Sequence, residues 1–205
     1  MTTPAERLAR LLGQAVTDQR VLEAVRTVPR DLFVPDSLRA EAWDNVPLPI
    51  GAGQTISQPL VVARMCELLE LAGRERVLDV GTGSGYHAAL LARLSDWVWS
   101  IEVHEQLSRQ AAANLEAAGI TNVTLVVGDG SRGLPEHAPY DAINVAAAGA
   151  GIPRALEEQL APGGRLVAPV EDGEQRLVRL RRTENAVERT ELERVRFVPL
   201  VRSRG

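Results

Sequence analysis

The stretch Val77-Leu78-Asp79-Val80-Gly81-Thr82-Gly83-Ser84-Gly85-Tyr86-His87-Ala88-Ala89-Leu90-Leu91 decides the fold. A short aliphatic run enters a glycine-rich turn, and the chain leaves that turn directly in helical periodicity. The glycines let the backbone turn tightly and let a ligand approach the main chain. In a doubly wound sheet such a turn lies at the carboxyl ends of the strands, where ligands bind. An acid, Asp79, stands two residues before the first glycine. The spacing Gly81-x-Gly83-x-Gly85 is one residue shorter than the dinucleotide fingerprint, so a nicotinamide with its pyrophosphate on the helix N-terminus fits less well.

Outward from this turn, short β-branched runs alternate with helical patterns. The expected strands are Arg76–Val80, Trp97–Ile101, Val123–Val127, Asp141–Ala146 and Arg165–Val170. Helical stretches are expected at Tyr86–Leu94, Gln106–Ala118 and Ile152–Leu160. This spacing means βαβ units: a doubly wound, mainly parallel α/β sheet, Rossmann-like, with helices on both faces. Beyond Pro169, Gln175–Arg181 and Glu191–Leu200 read as two strands joined without a helix, so the sheet should end in an antiparallel pair. Residues 1–70 read as an N-terminal helical and loop extension that covers the site. It holds an amphipathic helix at Arg20–Val28, a proline-rich segment from Pro29 to Pro59, and helical spacing over Val61–Leu71. The chain of 205 residues thus reads as one domain, with residues 71–205 as its cofactor-binding core.

Composition narrows the function classes. Aromatics are only 3%, so the core must be mainly Leu, Val, Ile and Ala. The net charge is −4 with signs interspersed, which argues against a nucleic-acid partner. All 23 basic residues are Arg, which we read as a coding bias rather than a site. A single cysteine, Cys66, excludes an intrachain disulfide and a multi-cysteine zinc site, and its apolar neighbours suggest a buried thiol. The N-terminus carries charges throughout, unlike a signal peptide, and no apolar run approaches a membrane span. A cytoplasmic protein is expected.

Two further acids follow in register. Glu102 ends the second expected strand, where a carboxylate can accept both hydroxyls of a ribose. Asp129 lies in Gly128-Asp129-Gly130 at the end of the third; the bland alternative is that both acids merely begin loops. Upstream, Pro47-Leu-Pro-Ile-Gly51-Ala-Gly53-Gln54-Thr55-Ile56-Ser57-Gln58-Pro59 precedes a helix. By local chemistry alone, Ser57 is the N-cap and Pro59 opens the first turn.

The motif D-x-G-x-G-x-G at Asp79–Gly85 resembles motif I of the class I S-adenosylmethionine-dependent methyltransferases. The block G-x-G-Q-T-I-S-Q-P at residues 51–59, followed by V-A-x-M, is more specific. It resembles the signature of the protein-L-isoaspartate O-methyltransferase family. Other pieces match in order, from about Val21 to Val201: GDG at 128–130, IP-x-x-L-x-x-QL-x-PGGRLVAPV at 152–170, and FVPLV at 197–201.

The resemblance implies S-adenosyl-L-methionine as cofactor, S-adenosyl-L-homocysteine as product, and no metal. Asp79, Gly81, Thr82, Gly83, Ser84 and Gly85 would cradle the cofactor, Glu102 would take its ribose, and Asp129 with Gly130 its adenine. Thr55 and Ile56 would line the cleft, and Ser57 would be the active-site residue. The reaction implied is methyl esterification of the free carboxylate of isoaspartyl residues in damaged proteins, which starts repair through a succinimide. The partners implied are isoaspartyl proteins and peptides, neither nucleic acid nor membrane, and the protein would be a monomer.

Such a reaction needs no strong general base, because a carboxylate is already ionised at neutral pH. His87, His104 and His137 therefore read as structural or surface residues. There are departures from the family pattern. Trp43, Asn45 and Val46 stand where a tyrosine and an Asp-Arg pair are usual, Ala146 replaces a threonine, and the chain ends Val201-Arg-Ser-Arg-Gly205. These raise one alternative, an aspartyl O-methyltransferase acting on a dedicated precursor peptide. A different class, a cofactor-binding module without catalysis, is argued against by Asp79, Glu102, Asp129 and Ser57 together.

Overall fold

A computed structural model describes residues 2–201. Its first helix, α1 (Pro4–Leu12), opens on a capping box. Thr3 Oγ1 accepts the Glu6 N–H at 3.1 Å, and Glu6 Oε2 accepts the Thr3 N–H at 2.7 Å. This helix was not expected. Helix α2 (Gln19–Thr27) is capped by Asp18, which accepts the Arg20 N–H. The proline-rich segment then forms two short 3-10 turns, Arg30–Phe33 and Asp36–Leu38, and a hairpin of β1 (Leu48–Gly51) and β2 (Gln54–Ile56). Ala52 and Gly53, both at positive φ (50° and 69°), make its two-residue turn.

Helix α3 (Pro59–Leu68) starts on Gln58, with no side-chain cap from that residue. The expected Ser57 N-cap is thereby corrected. Instead Asn45 Oδ1, thirteen residues before Gln58, accepts the Leu60 N–H at 3.0 Å. One of the helix's orphan donors is satisfied by a tertiary contact, and the Ser57 side chain is not used for capping.

The core follows as β3 (Arg76–Val80), α4 (Tyr86–Leu94), β4 (Trp97–Glu102), α5 (Glu105–Ala117), β5 (Val123–Val127), β6 (Tyr140–Val145), α6 (Arg154–Glu158), β7 (Leu160–Asp172), β8 (Glu174–Arg182) and β9 (Val187–Arg194). Strand order is β5-β4-β3-β6-β7-β8-β9, parallel from β5 through β7 and antiparallel thereafter. The order reverses direction on either side of β3, so the crevice at the carboxyl ends of β3 and β6 is the topological switch point.

Several expected boundaries moved, the start of β7 among them, at Leu160 instead of Arg165. Helix α6 is shorter than 152–160, because Pro153 precedes it and Leu160 already pairs with Tyr140 in the sheet. Strand β9 begins at Val187 because Thr183 and Ala186 close a tight turn (Thr183 N–H to Ala186 O, 2.8 Å). Residues 195–200 then leave the sheet and run beside Ala148, whose N–H donates to Val198 O at 2.8 Å. One face of the sheet packs on α1 to α5 through Val77, Val98, Ala142 and Val167. The other packs through Leu78, Ile143 and Leu166 on Leu156 of α6. Among the described residues no helix is long and apolar enough to cross a membrane.

Candidate active site

Strand β3 delivers the chain into the turn with Gly81, Gly83 and Gly85 at φ 95°, 54° and 89°, all in the region that favours glycine. At Gly85 a Cβ would also come within 3.2 Å of Ala111 on α5, so the glycine lets α4 and α5 close together. The turn is fixed to both neighbouring strands. Gly81 N–H donates to Ile101 O at 2.9 Å, and Ala146 N–H donates to Val80 O at 2.8 Å. Glu102 completes the hold: its Oε2 accepts the Gly83 N–H and its Oε1 the His104 N–H, each at 2.9 Å.

Asp79 is fully buried beneath this turn and is not among the residues lining the cleft. Its Oδ2 accepts from Ser100 Oγ and its Oδ1 from Asn144 Nδ2, both at 2.7 Å. Ser100 Oγ in turn lies 2.6 Å from Thr82 Oγ1, so a buried chain links Asp79 to the glycine turn. Burial pushes the Asp79 carboxyl up to about 6; the hydrogen bonds from Asn144 and Ser100 pull the other way, and Glu102 adds repulsion.

From the opposite side the β1–β2 hairpin arches over the turn. Ile50 Cδ1 would stand 3.3 Å from a Cβ on Gly83. Arg30, wholly buried, ties together the segments before and after the hairpin: its Nε donates to Ala42 O at 2.7 Å and its Nη2 to Ser57 O at 3.3 Å. Its guanidinium lies 4.9 Å above the Tyr86 ring. No carboxylate answers it among the described residues, and burial lowers its pKa to about 10.

These elements enclose a solvent-open cleft of about 750 Å³. Thr55, Ile56, Ser57, Gly81, Thr82, Ser84, Glu102 and Gly130 line it. Gly83, Gly85 and Asp129 are not lining residues; Asp129 Oδ1 accepts from the Ser131 N–H and hydroxyl at the cleft's edge, and Gly83 faces a neighbouring hollow. His87 and His104, read from sequence as structural or surface residues, do line the cleft. So do Tyr86, Ala146, and the C-terminal residues Val198 to Val201. A second groove, about 820 Å³, runs between Pro47, Gln58, Val61 and Arg194 to Val198. The two cavities share Thr55, Ser57, Ala146 and Val198. Ser57 stands at their junction.

The donor set fits S-adenosylmethionine. Each Glu102 oxygen takes one backbone N–H and keeps a lone pair for a ribose hydroxyl. At the cleft floor Gly130 packs too closely for any side chain, since a Cβ there would lie 2.5 Å from Val80 Cγ1. Inside the cleft wall, His87 Nε2 is buried with no protein partner.

A glycine turn at the switch point of a mainly parallel sheet, an acid closing the next strand, and this donor set define a class I S-adenosylmethionine-dependent methyltransferase. The family model described as protein-L-isoaspartate(D-aspartate) O-methyltransferase matches residues 6–205. Protein-L-isoaspartate O-methyltransferase 2 of Marinobacter nauticus is 52% identical over 198 residues, covering 95% of this chain and 90% of that protein. The Methanoculleus marisnigri protein-L-isoaspartate O-methyltransferase is 52% identical over 92% of this chain and 86% of its own length. A solved protein-L-isoaspartate O-methyltransferase superposes with TM-score 0.86 at 28% identity, covering 95% of this chain and 65% of that one. A Plasmodium falciparum structure in complex with S-adenosyl-L-homocysteine superposes with TM-score 0.85 at 24% identity, over 97% of this chain and 99% of that one, and shows the shared fold. The chain belongs to the protein-L-isoaspartate (D-aspartate) O-methyltransferase family, and it is an S-adenosylmethionine-dependent O-methyltransferase.

Proposed function

We propose that this chain methylates the free carboxylate of isoaspartyl residues in polypeptides held in the second groove, with Ser57 orienting that carboxylate. The observation that carries the reading is the placement of Ser57 where the cofactor cleft and the adjoining groove meet. S-adenosylmethionine supplies an electrophilic methyl group there, which a carboxylate oxygen accepts as sulfur leaves with the bonding pair, so no proton has to move.

The chain's own residues have three tasks. Glu102, with Asp129 and Gly130, binds the nucleoside end. The Ser57 hydroxyl hydrogen-bonds one carboxylate oxygen and leaves the other aligned, which is catalysis by orientation. Val198 to Val201 and the hairpin line the cleft and narrow its access to water, which strengthens the polar contacts inside. Arg30, through the Ser57 carbonyl, fixes the backbone from which the hydroxyl projects.

A dedicated precursor peptide as acceptor is not favoured, since the match runs along nearly the whole chain. We also propose a monomeric, cytoplasmic enzyme acting on protein rather than nucleic acid. The mixed-sign surface of net charge −4 and the single buried Cys66 support that setting. Ser57→Ala tests the role assigned to Ser57. With an isoaspartyl peptide, kcat should fall about tenfold or more, the loss of one hydrogen bond to a charged group. Calorimetric affinity for S-adenosylhomocysteine should stay unchanged. An unaltered rate would remove Ser57 from the reaction.

A further inference from the structure

His87 is the second residue of α4, only 7% exposed, and its imidazole reaches from the glycine turn toward β6. Its Nδ1 lies 3.2 Å from Asn144 Nδ2. The same Nδ2 donates to Asp79 Oδ1 at 2.7 Å. An amide nitrogen has two hydrogens, so one goes to Asp79 and the other to His87 Nδ1. Turning the amide over would set its oxygen against the Asp79 carboxylate. His87 Nδ1 is therefore an acceptor, and the ring proton must sit on Nε2. That Nε2–H is closed off from bulk water and has no partner in the protein. A buried donor left this way is destabilising, and it is tolerated where an acceptor arrives later.

We propose that His87 Nε2–H is the donor for the α-carboxylate at the amino-acid end of the bound cofactor. This rests on the cofactor reading of the cleft. Glu102 and Gly130, on the β4–β5 side of β3, take the nucleoside end, so an extended cofactor crosses the glycine turn toward β6. His87, held by Asn144 on β6, stands at that far end. Burial drives its pKa down to about 3, so the imidazole is neutral and offers a hydrogen bond rather than a charge. A donor there selects the carboxylate over the ammonium of the same amino-acid group. Asn144 is a positioning residue: it fixes the tautomer through Nδ2, with Asp79 fixing Asn144.

The test compares two probes by titration calorimetry, S-adenosylhomocysteine and its decarboxylated analogue, on the wild type, His87→Leu and His87→Gln. His87→Leu should bind S-adenosylhomocysteine about tenfold to a hundredfold more weakly, the scale of a hydrogen bond to a charged group. It should bind the decarboxylated analogue as the wild type does. His87→Gln, which keeps a donor, should recover part of the difference. Nitrogen-15 spectra of the ligand-free wild type should show the Nε2–H tautomer, a readout that does not depend on any variant folding. Equal weakening of both probes by His87→Leu, no weakening of either, or the Nδ1–H tautomer would overturn the proposal. Wild-type protein that binds neither probe would overturn it together with the cofactor reading, a result distinct from the others.

Discussion

Glu102 Oε2 accepts the backbone N–H of Gly83 at 2.9 Å, so the acid that ends β4 also holds the glycine turn that follows β3. The other oxygen accepts the His104 N–H, and the side chain is 6% exposed. Glu102→Gln would keep shape and volume but place an NH2 against one of those two N–H groups. The turn should loosen and one ribose acceptor should be lost. Affinity for S-adenosylhomocysteine is expected to fall at least tenfold, with secondary structure by circular dichroism unchanged. Unchanged affinity would separate Glu102 from the ribose.

Asp79 makes the fold sensitive to pH in a defined window. Its carboxyl is raised from 3.8 to about 6 in the fold, chiefly by burial. Between about pH 4 and pH 6 the unfolded chain therefore loses this proton while the folded chain keeps it. The contribution of Asp79 to stability falls across that window by roughly 3 kcal/mol and is level above it. Asp79→Asn can still accept from Asn144 and donate to Ser100 Oγ, and it has no proton to lose. The stability of the variant minus that of the wild type, from urea unfolding, should rise by that amount between pH 4 and pH 6. A difference independent of pH would contradict the assignment.

Gly130 is a packing requirement rather than a conformational one. A Cβ there would lie 2.5 Å from Val80 Cγ1 and 3.4 Å from Ile101 Cγ2, both buried and both β-branched, hence stiff. Gly130→Ala should lower unfolding free energy by about 1–3 kcal/mol, the usual scale of overpacking. Because Gly130 also lines the cleft, cofactor affinity should fall with it. A variant as stable as the wild type would mean that β3 can yield by several tenths of an ångström.

Asn45 caps α3 from a distance and thereby sets where Ser57 can point. Asn45→Ala should destabilise the protein by about 1 kcal/mol, as loss of a cap does. It should also lower turnover more than cofactor affinity, because the displaced segment carries Ser57. Equal losses in both would show a diffuse effect on folding alone.

Much of this was legible in the residues. The β3 and β5 boundaries and helix α4 match the expected spans at both ends, because short, largely aliphatic runs between turn signals leave little choice. Helix α1 was legible but passed over, since Thr3-Pro4-Ala5-Glu6 carries a capping box with proline at N1. The start of α3 was not. Local pattern offered Ser57 as the cap, and the contact that won comes from Asn45, which no window around Ser57 contains. Arg30 was likewise hidden, because a buried arginine held by distant backbone carbonyls leaves no trace in charge patterning. Strand β9 was expected too late in the chain, because FVPL looks like a strand; it instead runs beside Ala148 and walls the cleft, as far as Val201. Residues 202–205 of the unusual C-terminal ending lie outside the described residues. Asp79 was expected to face the cofactor, and its burial beneath the turn follows from the cover on both faces of β3, which a motif does not convey.

The most direct test of the central claim uses two peptides that differ only in an isoaspartyl or an aspartyl linkage at one position. Each is incubated with the pure protein and methyl-labelled S-adenosylmethionine. Base-labile label on the isoaspartyl peptide alone is the expected result. Label on the aspartyl peptide, or on neither while S-adenosylhomocysteine still binds, would contradict it.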